Sequence, residues 1–224
     1  MICVMTDEAI QYLSRTDKIL GKLIRKVGAC TLVPKKRRSP FETLVRSVAY
    51  QQLNGTAAAT ILGRVQALYP GRRFPTPEDL LDTPDERLRG AGLSRAKVAA
   101  IKDIAAKTVA GVVPTSRAIV RMDNQEILER LTTVRGVGPW TVEMLLIFTL
   151  GRTDVLPVTD YGVRKGFALT YGWKELPAPN ELRQFGERWQ PHRTTAAWYF
   201  WRALELPEPK ANGSKVKKST VPLT

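Results

Sequence analysis

Histidine and cysteine are almost absent from this chain: His192 stands alone among 224 residues, and Cys3 and Cys30 are the only cysteines. Two thiols without a Cys-x-x-Cys spacing cannot hold a four-cysteine zinc or iron–sulfur site, and a single imidazole adds no metal cluster. Any chemistry is therefore expected to run without a protein-bound catalytic metal and without a histidine-dependent triad. Both thiols read as buried or reduced in an intracellular protein. No apolar run approaches the length of a membrane span, and "MICVMTDEAI" lacks the basic segment and long apolar stretch of a signal peptide. Acidic residues are scarce too: 21 Asp and Glu face 35 Lys and Arg, a net charge of +14 with a pI near 10.1. That excess favours a polyanionic partner. No cationic amphipathic segment shows a bulky aromatic face, so nucleic acid stands ahead of a membrane surface.

What is present is helical patterning on an ordinary globular composition, 43% hydrophobic and 25% charged. Apolar positions recur at helical spacing nearly everywhere, and no segment alternates convincingly as a strand. A first helix is expected from Thr6-Asp7-Glu8 through "AIQYLSRTDKILGKLIRKVG", closed by Gly28, followed by a basic exposed linker, Pro34 to Pro40. Helices are then expected from Phe41 through "ETLVRSVAYQQL" and over "GTAAATILGRVQALYP". Short pieces between proline turns follow, "PEDLL", "PDERLRGAG" and "SRAKVAAIKDIAAKTVAG". The Gly90-Ala91-Gly92 turn among them reads as a helix end followed by a Ser94 cap. "DNQEILERLTTV", "WTVEMLLIFTLG", "YGVRKGFALTYG", "APNELRQFGERWQ" and "TTAAWYFWRALEL" complete the helical set. "PEPKANGSKVKKSTVPLT" reads as a disordered basic tail. The expectation is an all-α protein of two lobes with a cleft. It divides into an N-terminal helix and linker (1–40), a core (41–206) and a tail (207–224).

One stretch, "VRGVGPWTVEMLLIF" (Val134 to Phe148), raises a sharper question. Gly136 and Gly138 suit a tight turn, and Pro139 suits the first turn of the helix after it. Such a turn leaves backbone N–H groups unpaired at a helix start, where an anion can bind. An ordinary helix–turn–helix in a core would carry the same pattern, so the turn alone does not decide.

The wider context resembles a known family. "LTTVRGVGPWTVEMLLIF" followed by "DVLPVTDYGVRKGF" is similar to the helix–hairpin–helix and downstream aspartate loop of the DNA glycosylase superfamily. Trp140 after Gly-Val-Gly-Pro, twenty residues before Asp160, resembles the alkylpurine branch, of which 3-methyladenine DNA glycosylase II is the type. "YQQLNGTAAATILGRV" and "ERWQPHR" with the aromatic run ending at Trp201 fit as well, so the likeness covers about Phe41 to Leu204. Residues 1–40 leave no room for the β-rich domain of the bacterial type member, as in the compact all-helical forms.

The resemblance implies a monofunctional enzyme that flips an alkylated purine from duplex DNA and hydrolyses its glycosidic bond, needing no cofactor. Asp160 takes the catalytic place, where a carboxylate offsets the positive charge growing on the sugar and can position water; read alone, it is as well placed to cap the next helix. Asp154 is the fallback, read as a solvated loop residue. Trp140 and Trp201 fall where the family places pocket aromatics, with Met144 in place of its tyrosine. Arg135, Gly136, Val137, Gly138, Arg164 and Lys165 are expected to meet DNA phosphates. Gln52, with Leu53 beside it, is expected to wedge into the vacated space. The family's hairpins also hold a monovalent cation on main-chain carbonyls, here those of Thr132, Val134 and Val137. Rival readings are a glycosylase for deaminated or oxidised bases, with Lys165 as a substitute for the missing Schiff-base lysine at 140, and a non-catalytic DNA-binding module. The partner expected is damaged double-stranded DNA, bound by a monomer, in the bacterial cytoplasm and nucleoid or the eukaryotic nucleus.

Overall fold

A computed structural model describes residues 7–35 and 38–207, and every regular element among them is helical. The helices are α1 (Asp7–Thr16), α2 (Lys18–Val27), α3 (Pro40–Tyr50), α4 (Gly55–Ala67), α5 (Pro77–Asp82), α6 (Asp85–Gly90) and α7 (Arg95–Val109). They continue with α8 (Ser116–Ile119), α9 (Asn124–Thr132), α10 (Pro139–Leu145), α11 (Tyr161–Tyr171), α12 (Pro179–Phe185) and α13 (Arg193–Ala203). A π turn, Leu146–Leu150, extends α10, and a 3₁₀ turn, Gly186–Trp189, extends α12. None of these helices is long and apolar enough to cross a membrane.

Short polar side chains set most of the starts. Ser39, Asn54, Ser94, Thr115 and Asp123 each accept a backbone N–H of the first turn they precede, and Thr76 with Asp79 forms a reciprocal capping box. Ser94 thus acts as expected, after a turn in which Gly92 takes φ +110°. The first helix departs from expectation. It is two helices, because Asp17 leaves the helical conformation (φ −136°) and its side chain caps α2. The Pro34–Pro40 stretch is not a free linker at both ends: Pro34 is buried and the Lys35 N–H donates to the Phe148 carbonyl at 2.7 Å. Residues 36–37 and the expected tail from 208 onward lie outside the described residues.

Two lobes share one continuous apolar core. One is built from α3 to α10, with α3 and α5 packed on α7 and α9 on α10. The other joins the chain's two ends: α1 and α2 pack on α13, which lies along α11. The α11–α13 crossing is close because position 166 has no side chain; a Cβ on Gly166 would fall 1.9 Å from the Phe200 carbonyl oxygen. Around it Phe167, Tyr171, Phe185, Trp189 and Phe200 interlock, Phe167 stacked on Tyr171 and edge to face with Phe185 and Phe200. Trp189 and Trp198 are buried there, in keeping with the core roles expected for them. The chain passes between the lobes through residues 151–160, and that crossing places Asp160 opposite α10.

Candidate active site

α10 starts where the hairpin leaves off. Gly136 takes φ +77°, a left-handed conformation that ordinary residues adopt only at a cost, and its missing side chain also leaves room for Ala100. Gly138 caps α10 without a side-chain bond, and Pro139 fills its first position. Val137 is buried and its N–H is used within the turn, so of the expected phosphate contacts here it is the one turned away, while Arg135 and Gly136 are exposed. The turn is braced from α7: the Arg135 N–H donates to Asp103 at 2.7 Å, and the Lys107 ammonium pairs with Asp103 at 3.2 Å and donates to the Thr133 carbonyl. The Val134 carbonyl already accepts the Val137 N–H at 3.1 Å. Of the three carbonyls expected to hold a cation, those of Thr132, Val134 and Val137, the Val134 one is thus already engaged within the turn.

Asp160 caps α11 through Oδ1, which accepts the Val163 N–H at 2.8 Å. The cap reading and the site reading coexist, because the same carboxylate also holds both expected indoles. Trp201 Nε1 donates to Oδ1 at 2.8 Å and Trp140 Nε1 donates to Oδ2 at 2.7 Å. The structure thus brings together three residues spread over 62 positions of sequence. Gly162 permits it: a Cβ there would lie 2.9 Å from Trp201 Cδ1 and 3.1 Å from Asp160 Oδ1. Trp140 is 44% exposed, so one face of this constellation is open to an incoming group. Met144, one turn beyond Trp140, is half-buried, and Phe148, a turn further, stacks on Trp201 with 5.6 Å between ring centroids. The π turn through Phe148 is the kind of irregularity that re-aims side chains at functional sites.

A second carboxyl stands in the same place. Glu143 is three residues after Trp140 and so on the same helix face. Burial first, and the Asp160 charge second, push its pKa up to about 7, against a smaller opposing pull from Arg183. Its Oε2 is fully buried and takes no hydrogen bond among the described residues.

The expected wedge lies between α3 and α4. Gln52 and Leu53 are exposed at its tip, and Gln52 is the one non-glycine residue of the described chain with positive φ, +56°. Its neighbour Gln51 has a junction role: Nε2 donates to the Gly136 carbonyl at 3.0 Å and ties loop to hairpin. Lys97 closes the loop from below, donating to the Ala49 and Gln51 carbonyls at 2.8 Å each, with burial lowering its pKa.

The remaining candidates divide. Lys165 is exposed, its ammonium 5.8 Å from the Tyr161 ring centroid. Arg164 is half-buried and its Nε donates to the Pro177 carbonyl at 2.9 Å, so part of its guanidinium is committed to holding the loop before α12. Asp154 is not a solvated loop residue: Arg193 grips both of its oxygens, at 2.6 and 2.8 Å. Sequence reasoning missed Glu143 and Lys97. An acid inside "VEMLLIF" was the available signal for the first; the second acts through backbone carbonyls, which leave no pattern in a sequence.

Known proteins resemble the chain over most of its length. Residues 45–191 match the family described as HhH-GPD superfamily base excision DNA repair protein. DNA-3-methyladenine glycosylase 1 of Schizosaccharomyces pombe is 38% identical over 198 residues, 87% of this chain and 86% of that protein. The alkylbase DNA glycosidase-like protein mag2 of the same organism is 32% identical over 199 residues, 88% and 93% of the two chains. The solved structure of S. pombe 3-methyladenine DNA glycosylase (Mag1) with abasic DNA superposes at a TM-score of 0.82 with 37% identity, covering 91% of this chain and 99% of that one.

Proposed function

The chain belongs to the HhH-GPD superfamily of base excision DNA repair proteins, and we propose that it is a monofunctional DNA glycosylase hydrolysing the N-glycosidic bond of alkylated purines, of the 3-methyladenine and 7-methylguanine type. The observation that carries the reading is the Asp160 carboxylate held between two indoles, one of them open to solvent. The naming of the relatives after 3-methyladenine, and the abasic DNA bound by one of them, support it.

The parts have separable tasks. The Arg135–Gly138 turn grips phosphate with the Gly136 and Gly138 N–H groups, assisted by Lys165 and the free part of Arg164, while Gln52 and Leu53 fill the space left by the flipped nucleotide. The damaged base, electron-poor or cationic, lies against the Trp140 and Trp201 rings above Met144. As the C1′–N9 bond breaks, its electron pair leaves with the base and positive charge grows on the sugar beside Asp160. The indole N–H groups hold that carboxylate in place, so it does not have to reorganise as the charge appears. Water bonds to C1′ and gives up its proton to Asp160, from which it passes to solvent on the open side, leaving an abasic site.

This scheme draws on no cofactor, because water is the nucleophile and an alkylated purine is already a good leaving group. Lys107 at the Thr133 carbonyl supplies positive charge in the turn where a monovalent cation was expected. One copy of the chain suffices for the site. Its place of work follows its substrate, the nucleoid or cytoplasm of a bacterium or the nucleus of a eukaryote.

The test is release of bases from methylated duplex DNA, identified chromatographically, with Asp160→Asn alongside. Release of 3-methyladenine or 7-methylguanine by the wild type and not by the variant is expected. Equal, salt-sensitive DNA binding by both proteins without any release would favour the binding-module reading instead.

A further inference from the structure

Glu143 has no task in the scheme above, yet it shares the helix face of Trp140 and Met144 and lies close enough to Asp160 for the two charges to interact. Among the described residues, three donors converge on Asp160: the Val163 backbone N–H and the Trp140 and Trp201 indoles. None reaches the buried Glu143 Oε2. Two neighbouring carboxyls in a partly desolvated site do not both carry charge readily, and the one without donors keeps the proton. The charged groups acting on Glu143 are Asp160 at the start of α11 and Arg183 on α12. On α3 and α9, also packed on α10, Glu42 pairs with Arg46 and Arg73, Arg130 donates to the Gly111 and Val112 carbonyls, and Glu126 and Glu129 are exposed to solvent.

We propose that Glu143 is a proton donor in the base pocket, a neutral carboxyl beside Asp160 that protonates a ring nitrogen of an uncharged purine as it leaves. This rests on the glycosylase reading and extends it to a second substrate class. A cationic alkylpurine departs as a neutral base without help. An uncharged lesion departs as an anion unless a proton arrives. The Glu143 carboxyl supplies it as the C1′–N9 electron pair moves onto the base, water then bonds to C1′, and the water's proton returns to the Glu143 carboxylate. Asp160 remains the counter-charge throughout, so the two carboxyls divide acid and electrostatic roles. Raising the pH removes the donor and leaves a second negative charge, which disfavours uncharged lesions only.

Single-turnover release from duplexes carrying hypoxanthine, an uncharged purine, or 7-methylguanine, a cationic one, tests this between pH 5.5 and 8.5. Wild-type hypoxanthine release is expected to fall about tenfold per pH unit above about 7, as a single ionisation requires, while 7-methylguanine release does not fall. Glu143→Gln, nearly isosteric but unable to give up a proton, is expected to lower the ratio of hypoxanthine to 7-methylguanine release at pH 6 by at least ~10-fold and to flatten its pH profile. Carbon-13 NMR titration of the glutamate carboxyls gives a readout independent of turnover and of that variant's folding. One carboxyl should titrate well above the others and move down in Asp160→Asn. Absence of hypoxanthine release, identical profiles for the two lesions, an unchanged ratio in Glu143→Gln, or no displaced carboxyl would each overturn the proposal. Loss of 7-methylguanine release from the wild type would instead overturn the glycosylase reading beneath it.

Discussion

Asp17 and Asp160 are built alike and used differently. Each opens a helix, accepts backbone N–H groups of the first turn, and holds two aromatic donors from distant elements. Asp17 takes the Ile19 and Leu20 N–H groups on Oδ1, with the Tyr171 hydroxyl at 2.5 Å and Trp189 Nε1 at 3.1 Å on Oδ2. Asp160 takes Val163 N–H and the indoles of Trp201 and Trp140. The difference is closure. Asp17 is 6% exposed and its partners belong to the aromatic core, where burial first and the Asp17 charge second push the Tyr171 pKa upward. Trp140, by contrast, is 44% exposed. A carboxylate with aromatic donors on all sides is a latch; the same carboxylate with one side open can face a substrate's developing charge.

The comparison breaks most sharply under the same substitution at both positions. Asp160→Asn is expected to cut base release by ~10²–10³-fold with little change in melting temperature, since an amide oxygen still caps α11. Asp17→Asn should do the reverse, because its –NH₂ meets donors that have nowhere to turn. It should cost about 2–4 kcal/mol of stability, read by denaturant unfolding, with activity per folded molecule preserved. A large activity loss in Asp17→Asn without unfolding would erase the distinction.

Removing one donor sharpens it. Trp201→Phe keeps the stacking on Phe148 but loses the N–H to Asp160 Oδ1. A hydrogen bond to a charged group is worth about 1.5 kcal/mol, or roughly tenfold in single-turnover rate. An unchanged rate would mean that Trp201 acts as a wall and not as a brace.

The two aspartates also show what a sequence makes legible. The all-helical fold, the hairpin and the grouping of Asp160 with Trp140 and Trp201 follow from local spacing and from resemblance, because glycine pairs, caps and aromatic runs are short-range signals. Asp17 was hidden inside an apparently unbroken helical pattern: "SRTDKILGKL" keeps its apolar period through the break, and only Tyr171 and Trp189, over 150 residues away, explain why the chain turns there. Glu143 was hidden in the opposite way, its importance lying in the absence of a donor around Oε2. Periodicity reports which face is buried; it does not report which buried polar atom is paired.

A smaller effect separates the regions by pH. Glu143 binds its proton more tightly in the folded chain, at about 7 against an ordinary value of 4.5. The folded state therefore holds more protons between those values, and its stability declines as pH rises from about 4.5 to about 7, then levels. Subtracting the pH–stability curve of Glu143→Gln from that of the wild type should isolate this slope. A flat difference would mean that the open region tolerates a second charge as readily as solvent does.

The smallest effect concerns backbone strain, which also sits on the open side. Gln52 holds a left-handed conformation, φ +56°, that costs a non-glycine residue roughly 1 kcal/mol. Gln51 and Lys97 hold the loop in that shape through the Gly136, Ala49 and Gln51 carbonyls. Gln52→Gly should relieve the strain, an expected gain of up to about 0.5–1 kcal/mol, partly offset by the greater freedom glycine brings to the unfolded chain. The same change removes the side chain that would enter the duplex, so affinity for abasic DNA should fall while affinity for undamaged duplex holds. Stability and damage-specific binding moving in opposite directions is the signature of strain kept for function. If both fall together, the loop's shape depends on the Gln52 side chain itself, and the conformation serves packing rather than insertion.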